Sequence, residues 1–355
     1  MGTPLGKPCP GSNPGPRTLI ILQNWDSFMS VSEIGEFSLI RQLLKILEND
    51  PREILGYDDV SATNIDGKLL ITKTDMFVES TDRLPGMPFS SMGWKAVVMN
   101  ISDFAAKGVK PLGGVIALGL PKNTSIKAVK ELYEGVSKAC KRYNIYVWGG
   151  DVSEAKEIII APMLVGFSKK VLSRSGAKPG NLLIATGFFG YTSLAYKVLL
   201  ENFTIKNDAL LDKIFRSVFY PEVSLKFGVE LLGKKLAYSG IDSSDGLAWT
   251  LHEMANSSNV KIIVENMPIA EDAKTQLLTW GLNPLKTVLY EGGEEYISVY
   301  AVDHEKIDDV FKLAKACNVN VQIIGYVEKG KGVYMKVKNE IFPIKPLGWN
   351  HFRKS

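Results

Sequence analysis

Histidine and cysteine are scarce in this chain, three of each among 355 residues. Cys9, Cys140 and Cys317 are far apart, odd in number and without metal-ligand spacing, a pattern that fits a reducing cytosol and a cytoplasmic protein. His252, His304 and His351 read as structural or solvated, with His351 set apart only by its neighbour Trp349. A basic tract is also missing. The net charge of +4 comes from lysines scattered along helical patterns, which leaves little electrostatic case for nucleic acid. Nor does any apolar run reach the length of a membrane span: Glu157 to Phe167 is of buried-strand length and contains Pro162 and Gly166.

What is present is enough for two cores. A length of 355 residues with 45% hydrophobic side chains exceeds what one core usually organises. Residues 1–28 look foreign to the rest, since Met1 to Pro16 holds five Pro and four Gly with almost nothing to bury. Leu19 to Leu22 is too short for a secretory segment, so the stretch is expected to be a disordered or non-native arm. Met29 would serve equally well as a first residue.

The apolar spacing of Phe37, Leu39, Ile40, Leu43, Leu44, Ile46 and Leu47 predicts a helix over 35–47, with Ser32 placed to cap it. Further on, a strand over 68–71 and an amphipathic helix over 90–107 are expected. Asn100 and Asp103 fall one turn apart on the same side of that helix. A strand over 112–120, a helix over 125–142 and a strand over 145–148 follow, and Gly149-Gly150-Asp151 is read as a turn into a strand ending at Phe167. The composition shift at Lys169 to Asn181 marks a domain boundary, giving domains at 29–168 and 169–355. Strands and helices continue to alternate beyond it. The order argues α/β or α+β rather than a bundle or a sandwich.

Seven aspartates lie in short polar breaks of this pattern: Asp58, Asp59, Asp75, Asp103, Asp151, Asp242 and Asp245. So many hard oxygen ligands in a chain poor in His and Cys point to Mg²⁺ held against a polyphosphate. Two carboxylates about 4 Å apart repel by roughly 4 kcal/mol at an effective dielectric near 20, a penalty that a divalent cation reverses. The structural alternative is a cap or turn role, accepted for Asp58 and open for Asp242 and for Asp245 or Ser244 at the start of the next helix. It fits Asp103 poorly, because an Asp inside an apolar helix has no end to cap. Gly228 to Lys235 imitates a phosphate-binding Walker A loop, but it ends in Lys, has an apolar interior at helical spacing and follows no strand.

Taken in order, several blocks resemble the signatures of the thiamine-monophosphate kinase family. They are Gly35-Glu-Phe-Ser-Leu-Ile40, Asp58-Asp59, Thr74-Asp75-Met-Phe-Val-Glu79, Gly93-Trp-Lys-Ala96 and Asn100-Ile-Ser-Asp-Phe-Ala-Ala106. Gly149-Gly-Asp151, Arg174 to Gly180, Ile241 to Leu247, Glu291-Gly-Gly-Glu-Glu-Tyr296 and Gly348-Trp-Asn-His-Phe352 complete the series. The resemblance implies the two-domain fold of aminoimidazole ribonucleotide synthetase: an N-terminal α+β domain that binds ATP and Mg²⁺ and dimerises through its sheet, and a C-terminal α/β domain. It implies the transfer of a phosphoryl group from ATP to thiamine monophosphate, giving thiamine diphosphate.

By the same resemblance Asp59, Thr74, Asp75, Asp103, Asp151, Asp242 and Asp245 are metal positions. Tyr133, Gly150, Asp151, Arg174 and Ser244 match nucleotide positions, and Asp82, Glu294 and Trp349 match the acceptor site, where Trp349 offers an aromatic face to a cationic thiazolium. The acceptor is a phosphate oxygen already ionised at neutral pH, so no general base is expected. The chain departs from the family pattern at Tyr57, where many relatives have Gly, at Lys73, where they have Ser, and at Asp82, where they have His. Two other readings stay open: a related enzyme with a different acceptor, and a non-catalytic nucleotide or thiamine-phosphate sensor.

Overall fold

The computed structural model describes residues 30–349 and 351–352. The arm assigned to residues 1–28 lies outside the described residues. The described residues divide into two compact units, the smaller holding residues 30–48 with 351–352 and the larger Asn49–Trp349. Within the smaller unit the single helix expected over 35–47 is two, Val31–Ile34 and Glu36–Leu44. The chain turns between them at Gly35, with φ +73°, and Ser30 rather than Ser32 holds the N-cap position. Ile46 and Leu47 continue the helical spacing but lie beyond the end of the second helix, exposed among the described residues.

The larger unit contains two sheets. The first uses β1 (Ser61–Ile65), β2 (Lys68–Thr74), β3 (Phe77–Val78), β4 (Pro111–Leu120), β5 (Tyr146–Glu154) and β6 (Ile159–Ser168) in the order β1-β2-β6-β4-β5, with β3 also on β6. Its pairs are antiparallel except β4 with β5. Two helices, Phe89–Ala106 and Ile126–Tyr143, accompany it, the second capped by the Ser125 hydroxyl accepting from the Ala128 N–H. In β2 the side chains alternate, so Leu69, Ile71 and Lys73 share the inner face.

The turn expected at Gly149-Gly150-Asp151 is instead the middle of β5, an edge strand exposed along its whole length. Glycine is needed there for proximity: a Cβ on Gly150 would run into the carbonyl oxygen of Ile116 on β4. A Gly pair reads locally as a turn, and only its partner strand reveals the other use.

The second sheet is built from β7 (Asn181–Ala185), β8 (Ala237–Ser243), β9 (Lys261–Val264), β10 (Ile297–Asp303), β11 (Gln322–Glu328), β12 (Gly332–Val337) and β13 (Glu340–Pro343), in the order β13-β12-β9-β11-β7-β10-β8. The Walker-like stretch is the helix Leu225–Gly233, as its apolar spacing predicts. Gly228 is small there because a Cβ would strike the Ala105 carbonyl, so this helix seats the C-terminal end of the helix Phe89–Ala106. The Tyr300 hydroxyl on β10 donates to the same carbonyl at 2.7 Å. That docking carries the polar end of the long helix onto β8.

Candidate active site

Fifteen of the eighteen residues of the helix Phe89–Ala106 are buried, among them Lys95, Asn100, Ser102 and Asp103. Buried polar side chains cost free energy unless partnered, so each of these has a destination. Asn100, Asp103 and Lys107 follow one another at three and four residues and share a face. Asn100 accepts the Asp75 N–H at 2.7 Å and donates to the Asp75 carbonyl at 3.3 Å, which fixes the backbone just after β2. Ser102 donates to Asp242 Oδ2 at 2.6 Å, reaching the end of β8.

Asp59, Asp103 and Asp242 thereby converge, each offering one carboxylate oxygen within 4.8 Å of the others. Asp103 lies on the helix that its spacing predicts, whereas Asp242, read from sequence as part of a turn, is in a strand; both are buried. Burial pushes the Asp242 carboxyl up to about 6, with Asp59 adding to it and the Ser102 hydroxyl opposing. Burial also raises Asp103 well above the usual range, Lys73 pulling it back while Asp242 and Asp75 raise it further. Asp59 resists its burial, because Lys107 and Arg174 hold it down to about 2.

Three cations balance the aspartates in part. The buried Lys107 ammonium stands 2.5 Å from Asp58 Oδ1 and 2.7 Å from Asp59 Oδ2, and donates to the Gly240 carbonyl at 2.7 Å. Arg174 bonds to Asp59 and to Glu253 (2.9 Å), and its backbone N–H and the Ser173 hydroxyl each donate to Asp58 Oδ2 at 3.0 Å. Asp58 is therefore engaged structurally. Lys73 reaches Asp75 at 3.0 Å and Asp103 at 3.2 Å. Burial opposes its charge, but Asp103, Asp75 and Asp59 outweigh burial and raise its pKa.

Hard oxygens around a net negative, largely buried centre suit Mg²⁺. Asp59 Oδ2 and Asp103 Oδ2 are buried and accept no well-formed hydrogen bond among the described residues, although lysine ammonium groups neighbour them. The donor set therefore fits such an ion. Thr74 is exposed beside Asp75. Asp151, exposed on β5, accepts from the Ser153 hydroxyl at 3.0 Å, and Asp245 lies just past β8, where its carbonyl accepts the Trp349 N–H at 3.0 Å. Neither joins the three-carboxylate group.

A second cluster surrounds Lys95, whose buried ammonium lies 2.6 Å from Glu294 Oε1 and 3.5 Å from the Asp82 carbonyl. The Tyr196 hydroxyl donates to Glu294 Oε2 at 2.8 Å, and the Glu294 N–H to the Ser244 carbonyl at 2.6 Å. Glu294 and Tyr296 both adopt positive φ, +55° and +51°, a conformation costly for side chains of this size, so the Gly-Gly-Glu-Glu loop is held in a specific shape. The Asp82 carboxylate accepts the Val78 N–H at 2.6 Å; burial raises its pKa, that hydrogen bond opposes, and nearby Glu294 adds to the rise. Asp82 and Glu294 thus meet around one lysine. Trp349 is half exposed, Gly150 lies in β5, and Tyr133 lines a groove with Cys140 and Tyr146.

Lys73, Lys95, Lys107, Ser102, Tyr196 and Glu253 were not singled out from sequence as site residues. One signal was available for two of the lysines. A lysine inside or at the end of a helix that is otherwise buried needs a partner, and Lys95 and Lys107 both stand so.

Residues 57–168 match the AIR synthase related protein, N-terminal domain, and residues 178–338 match the AIR synthase related protein, C-terminal domain. Fold and site thus define a two-domain protein of the AIR synthase related class. The chain is 38% identical to the thiamine-monophosphate kinase of Nitrosopumilus maritimus, over 80% of this chain and 89% of that protein. It is 33% identical to the thiamine-monophosphate kinase of Pyrococcus horikoshii, over 91% of this chain and 98% of that one. The structure of AaThiL complexed with AMPPCP and TMP superposes with a TM-score of 0.80 at 29% identity, covering 91% of this chain and 99% of the other. The chain belongs to the thiamine-monophosphate kinase family.

Proposed function

We propose that this chain catalyses Mg²⁺-dependent transfer of the γ-phosphoryl group of ATP to the phosphate of thiamine monophosphate, forming thiamine diphosphate by direct in-line displacement. The observation that carries the reading is the convergence of Asp59, Asp103 and Asp242, drawn from both family domains, within 4.8 Å. Asp75, Thr74, Asp151 and Asp245 complete the residues assigned to metal. Bound there, Mg²⁺ supplies the charge neutralisation that lets two anions approach and aligns the transferring group. The acceptor oxygen arrives ionised, so no residue removes a proton from it.

Asp82 and Glu294 bind the positively charged end of the acceptor, Lys95 and Tyr196 orient the Glu294 carboxylate, and Trp349 stacks on a ring. Tyr133, Gly150, Ser244 and Arg174 serve the nucleotide, Arg174 as a charge-assisted donor once it turns from its carboxylates. Cytoplasmic residence belongs to the same reading. The test is ADP formation by the purified protein with MgATP and, in turn, thiamine monophosphate, thiamine and hydroxymethylpyrimidine phosphate, the product being identified by mass. Thiamine diphosphate formed from the monophosphate alone is the expected result. Turnover of another acceptor, or MgATP binding without turnover, would overturn it.

A homodimer is part of the proposal. The first sheet leaves Tyr146, Trp148, Met163 and Phe167 exposed, an apolar surface of the kind that marks association. Sedimentation equilibrium is expected to give a dimer that Trp148→Glu with Phe167→Glu dissociates; a wild-type monomer at every concentration would refute it.

A further inference from the structure

The carboxylates of this centre are not equally short of positive charge. Asp58 and Asp59 share Lys107 and Arg174, and Asp242 has the Ser102 hydroxyl. Among the described residues Asp75 and Asp103 share a single close cation, the Lys73 ammonium, at 3.0 and 3.2 Å. The alternation of β2 points Lys73 inward with Leu69 and Ile71, and its side chain is only 17% exposed. A long, rotamer-rich side chain fixed there loses entropy that two close ion pairs in a low-dielectric setting offset. Its position between two carboxylates from separate elements is that of a bridging metal ion. An ammonium tethered to the strand, unlike a dissolved ion, cannot leave.

We propose that Lys73 is a built-in cation of the reaction centre, standing between Asp75 and Asp103 in place of a divalent ion, so that this chain binds one divalent ion fewer than its variant lacking the charge. The inference rests on the reading of the surrounding carboxylates as a metal site. It has two consequences. The wild-type cluster is partly neutralised without metal, and a divalent ion is left with the oxygens of Asp59, Asp103 and Asp242 rather than with the bridge from Asp103 to Asp75.

Mn²⁺ is the probe, counted per chain by equilibrium titration with electron paramagnetic resonance of the free ion, in the wild type, Lys73→Ser and Lys73→Met. Both variants are expected to bind one more Mn²⁺ per chain than the wild type. Their metal-free melting temperatures should fall below the wild-type value and rise further on adding Mn²⁺. Equal numbers of bound Mn²⁺ in wild type and variants would overturn the proposal. Should neither variant fold, wild-type crystals soaked in Mn²⁺ decide by anomalous scattering. Manganese at the three-carboxylate group with Lys73 still between Asp75 and Asp103 supports the proposal, and manganese between those two residues with Lys73 displaced overturns it. Absence of Mn²⁺ from every form of the protein would overturn the metal reading itself and this inference with it.

Discussion

Asn in place of Asp103 is expected to lower kcat by about a hundredfold or more while leaving the metal-free fold no less stable. The rate loss follows from removing a charged oxygen where charge must be balanced during phosphoryl transfer, an effect typically worth about two to three orders of magnitude. The stability expectation follows from the sign of the pKa shift. Burial, Asp242 and Asp75 raise the folded-state pKa of Asp103 above its ordinary 3.8, so the folded chain holds this proton more tightly than the unfolded one. Above pH 3.8 its negative charge therefore costs stability, and an uncharged isostere removes that cost. Lys73 keeps Asp75 as a partner in the variant. Steady-state kinetics with MgATP and thiamine monophosphate, beside melting curves in EDTA, separate the two effects. Near-normal kcat would remove Asp103 from the reaction centre; a large drop in melting temperature would make its role structural.

Residue type and local spacing carried much of this site. Asp103 was readable because an aspartate inside an apolar helix has no end to cap, and Asn100 because it stands one turn away on the same side. The lysines that hold the cluster together were harder to see. Lys73 falls beyond the strand expected over 68–71 and stands out only as a departure from the family pattern; its inward place is known once β2 runs to Thr74 and is paired on β6. Lys107 meets Asp58 and Gly240 from far along the chain, a distance that no periodicity reports. The fold follows the same division. Helices with a strong apolar stripe, such as Ile126–Tyr143, lie within a residue or so of their predicted ends. β1 has one buried residue and β13 none, so neither shows the alternation by which a strand is recognised. Gly150 in β5 answers to the backbone of β4, which only the folded sheet supplies.

Met in place of Lys107 is expected to destabilise the metal-free protein by about 3–5 kcal/mol, the usual consequence of leaving a buried charge without its partner. The Lys107 ammonium is fully buried and meets Asp58, Asp59 and the Gly240 carbonyl, so one substitution strands two carboxylates and an acceptor. Arg174 remains on both aspartates, but it is also committed to Glu253. Methionine nearly matches lysine in length, which keeps cavity formation out of the comparison. Two further measurements isolate the electrostatic part. Adding Asp58→Asn to Lys107→Met should recover stability relative to the single variant, because it removes one of the stranded charges. Saturating Mg²⁺ should recover more stability in Lys107→Met than it adds to the wild type, since Asp59 belongs to both the lysine pair and the three-carboxylate group. A loss below about 1 kcal/mol, or a double variant no more stable than the single one, would mean that Arg174 alone neutralises the pair. The contrast with Asp103 is physical: one buried charge costs folding energy and serves the reaction, while the other keeps β8 and the Asp58-Asp59 turn together so that the first can do so.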